Sequence, residues 1–540
     1  MSTPVDYDVL QVGFGPVGQT MSALLGQGGH KVGVYERWPL LYPLPRAGHV
    51  DHEAMRIFQG IGAARDIERK IVPVPDYHWV NGEGLTLMHL DWNVSTLSAW
   101  KSNYLFYQPD VEAALLAAVE RTPTVEVNLG WEATNVEQRA DHVAVRFAEG
   151  RLVDGRWDPT GVEKTVTARY VVGADGANSF VRRSADFRLD DYGFEEQWLV
   201  LDVRPNDPDV ELDMYDAAQV CDPLRPTTAL RWLGREHCRW EFMLLEGESP
   251  GEAATAENAW RLLEPWGLGP GSASVVRRVV YTFRSLLADT FRDRRVLLVG
   301  DAAHQMPPFM GQGMCSGLRD AANLAWKLDL VLREVSPGDI LDTYTQERRP
   351  HADAYIKGSM ALGQVICISD PAKAAERDAA FTAGEVPPPE PPPWLTSGVI
   401  APRNAEDPVV GRLGVQGRVD DGELVRLADD LLGLGWFVLS RDRAALDGLT
   451  TEHRAVLSAL GAKIVHVHRG RVPGALVDVD GTYHRWFEEI GGSIAIVRPD
   501  YHVYGVADDG DELGRLVERL GEQLTISCDD RQPVGTDASV

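Results

Sequence analysis

The first forty residues alternate short apolar runs with one apolar-periodic stretch. Residues 8–12 read as a buried strand, 16–25 as a helix and 31–35 as a second strand, the order of a βαβ unit. Pro109 stands at a first helical position and introduces a helix over 111–119, and strands are expected over 125–129, 142–147 and 170–173. From residue 197 to 283 the period shortens to two, as in 198–203 and 239–245, with one helical piece over 256–263. A buried strand over 295–299 and a long helix over 318–332 then restore the earlier pattern. The simplest architecture is a sheet layer inserted between two halves of a nucleotide-binding fold. Residues 387–393, Pro-Pro-Pro-Glu-Pro-Pro-Pro, supply no ladder donors and read as a semi-rigid connector. Beyond them, strands over 436–439, 463–467 and 493–497 and a closing helix over 512–524 make an α/β unit of thioredoxin size.

Composition narrows the function classes. The chain has 540 residues, 44% of them apolar, which is material for several cores. Its 53 basic and 80 acidic side chains give a net charge of −27, which repels nucleic acid and anionic lipid. An anionic substrate would need a local arginine cluster. Cys221, Cys238, Cys315, Cys367 and Cys528 are odd in number and form no Cys-x-x-Cys pair, as expected in a reducing compartment. No basic stretch leads into an apolar one at the start, and no apolar run reaches membrane length. A cytoplasmic protein without a membrane span is expected.

Gly13-Phe14-Gly15-Pro16-Val17-Gly18 lies between the first strand and its helix, where glycines permit the tight turn and admit a pyrophosphate at the helix start. Glu36, closing the second strand, is placed to accept hydrogen bonds from a ribose. This site alone suits NAD or FAD. Further on, the strand over 296–299 ends in Gly300-Asp301, putting a carboxylate where open α/β sheets bind ligands. Pro307-Pro308 and Gly311-Gln312-Gly313 then lead into the long helix, whose first N–H groups would face an anion or a carbonyl.

These two motifs, with Asp175-Gly176 inside residues 173–183 between them, closely resemble the group A FAD-dependent aromatic hydroxylases, typified by para-hydroxybenzoate hydroxylase and phenol hydroxylase. The resemblance implies FAD, with NADH or NADPH as electron donor, and hydroxylation of a phenolic ring by dioxygen through a flavin C4a-hydroperoxide. It places Gly13, Gly15, Pro16, Val17, Gly18, Glu36 and Arg37 around the adenosine and pyrophosphate, and Arg46 beside the flavin ring. Gln108 falls on the ribityl-phosphate side. Asp175, Gly176, Arg182 and Arg183 fall in a segment serving both FAD and the nicotinamide donor. Gly300 and Asp301 fall at the ribityl chain, with Pro308, Gly311, Gln312, Gly313 and Met314 near the flavin's reactive and pyrimidine edges. Residues 46–56, 221–226 and 341–349 look most like the members that act on 3-(3-hydroxyphenyl)propionate, so that compound or a related hydroxyphenyl-alkanoate is the implied substrate. The chain departs from those members at residues 48–52, where His49 and His52 stand in place of an apolar residue and an acid.

The expected fold class is α/β with an α+β insert. The FAD-binding fold would occupy residues 1–190 and 286–386, a substrate sheet 191–285, a proline-rich linker 387–395 and a thioredoxin-like domain 396–540. That last domain lacks a redox dithiol, so an interface role, with a homodimer, is expected. Candidate groups for a substrate carboxylate are Arg225, Arg231 and Arg239. Candidates for the phenol proton, besides Arg46 and Pro308 at the reacting edge, are His49, His52, Tyr104 and Tyr215. His304 is expected to be structural. Two other readings compete: a tailoring hydroxylase of larger aromatic polyketides, and a flavin-binding scaffold without turnover.

Overall fold

The computed structural model describes residues 4–153, 155–207, 209–385, 391–402 and 409–526. Cys528 and residues 387–390 of the proline run lie outside them, and residues 391–393 of that run are without regular structure. The opening unit forms as the pattern implies: strand Tyr7–Val12, helix Pro16–Gln27 and strand Val32–Glu36. Tyr7–Val12 is the centre of a parallel sheet, flanked by Val32–Glu36 with Val125–Leu129 on one side and by Arg156–Gly173 with Val296–Leu298 on the other. Buried on both faces, these strands read as near-continuous apolar runs.

The second sheet runs in the order His304–Gln305, Ala273–Ala288, Leu189–Pro205, His237–Met243, Thr227–Leu233, Ala217–Cys221, Asp76–Asn81 and Thr86–Asp91. It therefore recruits more than the segment 191–285 expected of it. The hairpin of residues 76–91 joins by parallel pairing, Ala218 opposite His78 and Val220 opposite Val80, and His304–Gln305 adds to the other edge. One face of this sheet packs on helix Ala256–Leu263 through Leu199, Leu201, Trp240, Phe242, Leu262 and Leu263. The other face carries Trp198, Met243, Leu230 and Phe283, which pack with Phe309 and Leu105 of the nucleotide-binding fold.

The C-terminal sheet centres on Lys463–His468, Phe437–Ser440, Ile494–Val497 and Val503–Ala507, of which the first two pair in parallel and the next two pairings are antiparallel, with helix Gly510–Gln523 packed on it. Buried charges join it to the rest. Arg56 contacts Asp429 at 2.6 Å and Arg498 contacts Glu347 at 2.6 Å. No described helix is long and apolar enough to cross a membrane.

Candidate active site

Three neighbouring parallel strands end at one edge of the first sheet, and each carries one motif there. Val12 is in register with Gly173, and Gly173 with Leu298. Gly13, Ala174-Asp175 and Gly300-Asp301 therefore emerge side by side. Gly13 has φ +101°, and a Cβ there would lie 2.3 Å from the Ala174 carbonyl oxygen, so the close approach of these two turns requires glycine. Gly18 lets the helix pack on the turn, since a Cβ would meet the Gly13 oxygen at 2.6 Å. A Cβ on Gly300 would stand 3.3 Å from Val17 Cγ2, which places the Gly-Asp turn directly against the start of helix Pro16–Gln27.

The later motif is held to the middle one by Arg182, which donates to the Ala302 carbonyl at 2.8 Å and the Ala177 carbonyl at 2.8 Å. Gln305 also donates to Ala177 O, at 2.9 Å. Asp175 spends its carboxylate locally, accepting from Ser179 Oγ and from the N–H groups of Phe180 and Val181. Gly176, with φ +74°, has open space where a Cβ would be. Arg183 donates to Asn178 O at 2.6 Å.

Glu36 accepts from Phe14 N–H at 2.9 Å and Trp38 N–H at 3.0 Å, leaving each oxygen a further lone pair. Arg37 is exposed and pairs with Glu132 at 3.5 Å. Gln108 accepts from the N–H groups of Arg46 and Ala47, both at 2.8 Å, and so sets the course of the chain that carries Arg46. The Arg46 guanidinium is exposed, 4.5 Å over the Tyr42 ring.

Helix Gly313–Leu332 begins at the same edge, with Met314 in its first turn. Neither it nor Pro16–Gln27 has a side-chain cap or an acidic residue in its first turn, so both present unpaired N–H groups. Pro308 opens the short turn Pro308–Met310, and Gly311 follows with φ +63°. The Gln312 side chain is buried between Asp51 and Arg319, which leaves only its backbone for a ligand. Behind the turn, His304 meets Asp320 at 2.6 Å, and Asp320 also accepts from Gly300 N–H and Arg348. His304 is thus a brace for the Gly-Asp turn.

Asp301 differs from the other carboxylates. Its side chain is accessible from the cleft and takes no hydrogen bond from the described residues. The protein around it raises the carboxyl above the ordinary range, against the pull of His304, Arg46 and Arg182. A flavin dinucleotide fits this edge. Gly15 has nothing within 4 Å of a would-be Cβ, two uncapped helix starts suit a diphosphate and a carbonyl edge, and Asp301 and Glu36 have acceptor capacity for hydroxyl groups.

The chain matches the family model described as FAD binding domain over residues 6–359, and the HcaD C-terminal domain over residues 411–523. The chain belongs to the FAD-dependent aromatic hydroxylases. It is 38% identical to a probable NADH-specific resorcinol 4-hydroxylase of Rhodococcus jostii (strain RHA1), over 95% of this chain and 94% of that one. It is 32% identical to a 3-(3-hydroxy-phenyl)propionate/3-hydroxycinnamic acid hydroxylase of Klebsiella pneumoniae, over 96% and 95% of the two chains. The flavin-dependent monooxygenase PieE, solved with FAD and substrate, shares the fold with a TM-score of 0.78 at 20% identity, covering 97% of this chain and 100% of that one. The hydroxylase is thus an FAD-dependent monooxygenase of phenolic rings.

The remaining candidate groups already have protein neighbours. Arg239 is buried and donates through Nε to Asp202 at 2.7 Å and through Nη1 to the Arg46 carbonyl at 2.6 Å, which leaves only its Nη2 without a partner. Arg225 is held by both oxygens of Glu248, at 2.6 and 2.7 Å. Arg231 sits beside Cys238, whose side chain belongs to the core on the far face of the sheet. Tyr215 is exposed and stacks on His78, ring centroids 4.0 Å apart. The Tyr104 hydroxyl accepts from Lys101 N–H, and burial pushes it up to about 12. His52 meets Ser98 Oγ at 3.0 Å, and burial lowers its proton affinity. His49 does reach the cleft side, but its ring nitrogens meet Gly311 O at 3.1 Å and Asn103 Oδ1 at 2.7 Å, so neither is free for a phenol.

Beside Arg239 the second sheet carries a polar rung that no motif announces. Asp202, Glu241 and Arg277 share the face of Arg239, and Arg277 donates to the Pro45 carbonyl and the Tyr281 hydroxyl. The segment His-Cys-Arg-Trp-Glu-Phe-Met carries the available signal: charged residues at alternate positions of a strand that is otherwise apolar.

Proposed function

We propose that this hydroxylase acts on a small, uncharged dihydroxybenzene of the resorcinol type, with NADH as donor. The observation that carries the reading is the charge state of the sheet wall. Arg225, Arg239 and Arg277 are each bound to protein acceptors, while Asp202 and Glu241 face the same side. A substrate carboxylate against that wall would lose its hydration beside Asp202 and Glu241, with only the buried Nη2 of Arg239 left to bind it. A phenolic hydroxyl gains acceptors there. The higher identity to the resorcinol hydroxylase than to the hydroxyphenylpropionate enzyme agrees with this choice.

Bound FAD, reduced by the nicotinamide donor, supplies the activated oxygen. The chain's own work is to hold and enclose. Asp301 and Glu36 would accept from ribityl and ribose hydroxyls, and the first N–H groups of helix Gly313–Leu332 would favour negative charge at the pyrimidine edge. Trp198, Met243, Phe283 and Phe309 form an apolar wall that keeps water from the reacting centre. A cytoplasmic setting follows from dependence on NADH.

The test is substrate-dependent NADH oxidation by the FAD-loaded enzyme with resorcinol, 3-(3-hydroxyphenyl)propionate and a polycyclic phenol. Fastest coupled turnover with resorcinol supports the reading. Preference for the propionate or for the polycycle overturns it.

A further inference from the structure

Glu241, like Glu196 further along the same face, is a carboxylate on the apolar side of the sheet wall that takes no hydrogen bond from any described residue. It lies on strand His237–Met243, between Arg239 and Met243 on the same face, directly opposite Val200 on one neighbouring strand and Thr228 on the other. The Thr228 hydroxyl is spent on Gln219 at 2.7 Å. The Arg239 guanidinium stays 3.7 Å from Glu241 because Asp202 and the Arg46 carbonyl hold it. Only 10% of the Glu241 side chain is exposed. A buried acid in this position normally accepts a hydrogen bond.

Its surroundings tie it to the reacting centre. Arg239, two residues along the strand, is bonded to the backbone of Arg46, the residue whose chain Gln108 directs past the cleft. Met243, two residues the other way, packs with Trp198 and with Phe309 of the turn Pro308–Met310. Tyr77, from the hairpin of residues 76–91, is close enough for Glu241 to oppose its ionisation. The titratable groups around Glu241 are therefore Arg239 on its own strand, Asp202 on the adjacent strand, Arg277 on the strand beyond that, and Tyr77 on the hairpin strand of the same sheet. Burial raises the Glu241 carboxyl, and Arg239 offsets only part of that rise. A carboxylate with raised proton affinity is better matched to a phenol than an ordinary one.

We infer that Glu241 binds the ring hydroxyl of the substrate and takes its proton, which makes it a catalytic residue of the hydroxylation. This rests on the reading that a neutral phenol occupies the sheet wall. The phenol O–H bond breaks, its proton passes to a Glu241 oxygen, and the bonding pair stays on the phenolic oxygen. That pair conjugates into the ring and raises the nucleophilicity of the carbons ortho and para to it. One of them accepts the oxygen atom that NADH and dioxygen provide through the bound flavin. The same carbon then loses its hydrogen as a proton, aromaticity returns, and the oxygen that had become a carbonyl recovers a proton from Glu241. The second oxygen atom of dioxygen leaves as water, with both electrons from NADH.

The experiment compares kcat/KM against pH for the FAD-loaded wild type, Glu241→Gln and Glu241→Asp, using resorcinol and fluorinated resorcinols of increasing hydroxyl acidity. In the glutamine variant kcat/KM for resorcinol is expected to fall on the order of 10²–10⁴-fold. The wild-type acid limb should vanish, and the deficit should shrink as the phenol becomes more acidic. The aspartate variant should keep an acid limb at a reduced rate, and it decides the matter if the glutamine variant does not hold FAD. A glutamine variant within about threefold of wild type, an unchanged limb in it, an equal loss for every phenol, or an aspartate variant indistinguishable from wild type overturns the assignment. Failure of the substrate reading shows separately, as a wild type that ignores resorcinol. The same variants are then run on the phenol it does consume.

Discussion

Arg498 and Glu347 meet at 2.6 Å with both side chains wholly removed from solvent, although one belongs to the C-terminal sheet and the other to the long helix Asp342–Ile366. Lys327 adds a second contact to Glu347 at 2.8 Å, and Arg498 also holds Asp500. A buried network of this kind is costly to break from one side, because the remaining charge is left without a partner. Arg498→Met is therefore expected to destabilise the protein by about 3–5 kcal/mol in urea unfolding. Arg418 pairs with Asp480 at the surface, so Arg418→Met should lie within about 1 kcal/mol of wild type. Equal effects would contradict the account of this interface.

The same network sets an acid limit. Burial disfavours the charge on Glu347, but Arg498 and Lys327 outweigh it and hold the carboxyl at about 2. At Asp320 burial is likewise outweighed, by His304 and Arg348, and the carboxyl is held at about 2. Both folded values lie below the unfolded ones of 4.5 and 3.8. Their contribution is present above those pH values and is lost as the pH falls toward about 2. The thermal midpoint should therefore drop steeply below the ordinary carboxylate range. A midpoint flat from neutral pH down to that region would refute this.

Gly13 and Gly15 separate folding from cofactor binding. A methyl group at Gly13 meets the Ala174 carbonyl at 2.3 Å on a backbone of φ +101°, whereas at Gly15, φ −73°, it meets no protein atom within 4 Å. Gly13→Ala should lower the stability of the apoprotein and abolish flavin retention. Gly15→Ala should leave the apoprotein melting as before and weaken FAD binding, read by flavin fluorescence titration. Unchanged FAD affinity in Gly15→Ala would remove the pyrophosphate from that turn.

Asp301 invites a similar dissection. Its carboxyl lies open to the cleft and takes no hydrogen bond from the described residues, so it does little for the empty protein. Asp301→Ala is expected to leave the apoprotein as stable as wild type or slightly more so, and to weaken FAD by about 1.5–3 kcal/mol, the worth of a hydrogen bond to a charged group. Apoprotein destabilised as strongly as the holoenzyme would mean that the residue serves the fold.

Much of the nucleotide fold was legible in the chain because its signals are local. The apolar run, the glycine turn and the helix of residues 7–27 are contiguous, and the Gly300-Asp301 turn ends a strand of three buried residues. The second sheet was harder to read. Its hairpin of residues 76–91 pairs in parallel with Ala217–Cys221, far along the chain, and no local period announces such a partner. The partners of the arginines were hidden for the same reason. Arg239 and Arg225 look available until Asp202 and Glu248 come to meet them. Glu241 drew no notice because its importance lies in taking no hydrogen bond, only the 3.7 Å approach of Arg239. His49 shows the converse, a residue of suggestive chemistry whose nitrogens Gly311 and Asn103 occupy.

The central claim is that the cleft edge of Gly13, Asp175 and Asp301 and the sheet wall of Trp198 and Glu241 enclose one reaction, oxygen insertion into an uncharged phenol. Turnover of resorcinol with NADH under ¹⁸O₂, followed by mass spectrometry of the product, tests it most directly. One labelled oxygen atom in a trihydroxybenzene, formed in step with NADH consumed, is the expected result. NADH consumed with all the label in hydrogen peroxide or water, for resorcinol and for every phenol offered, would contradict it.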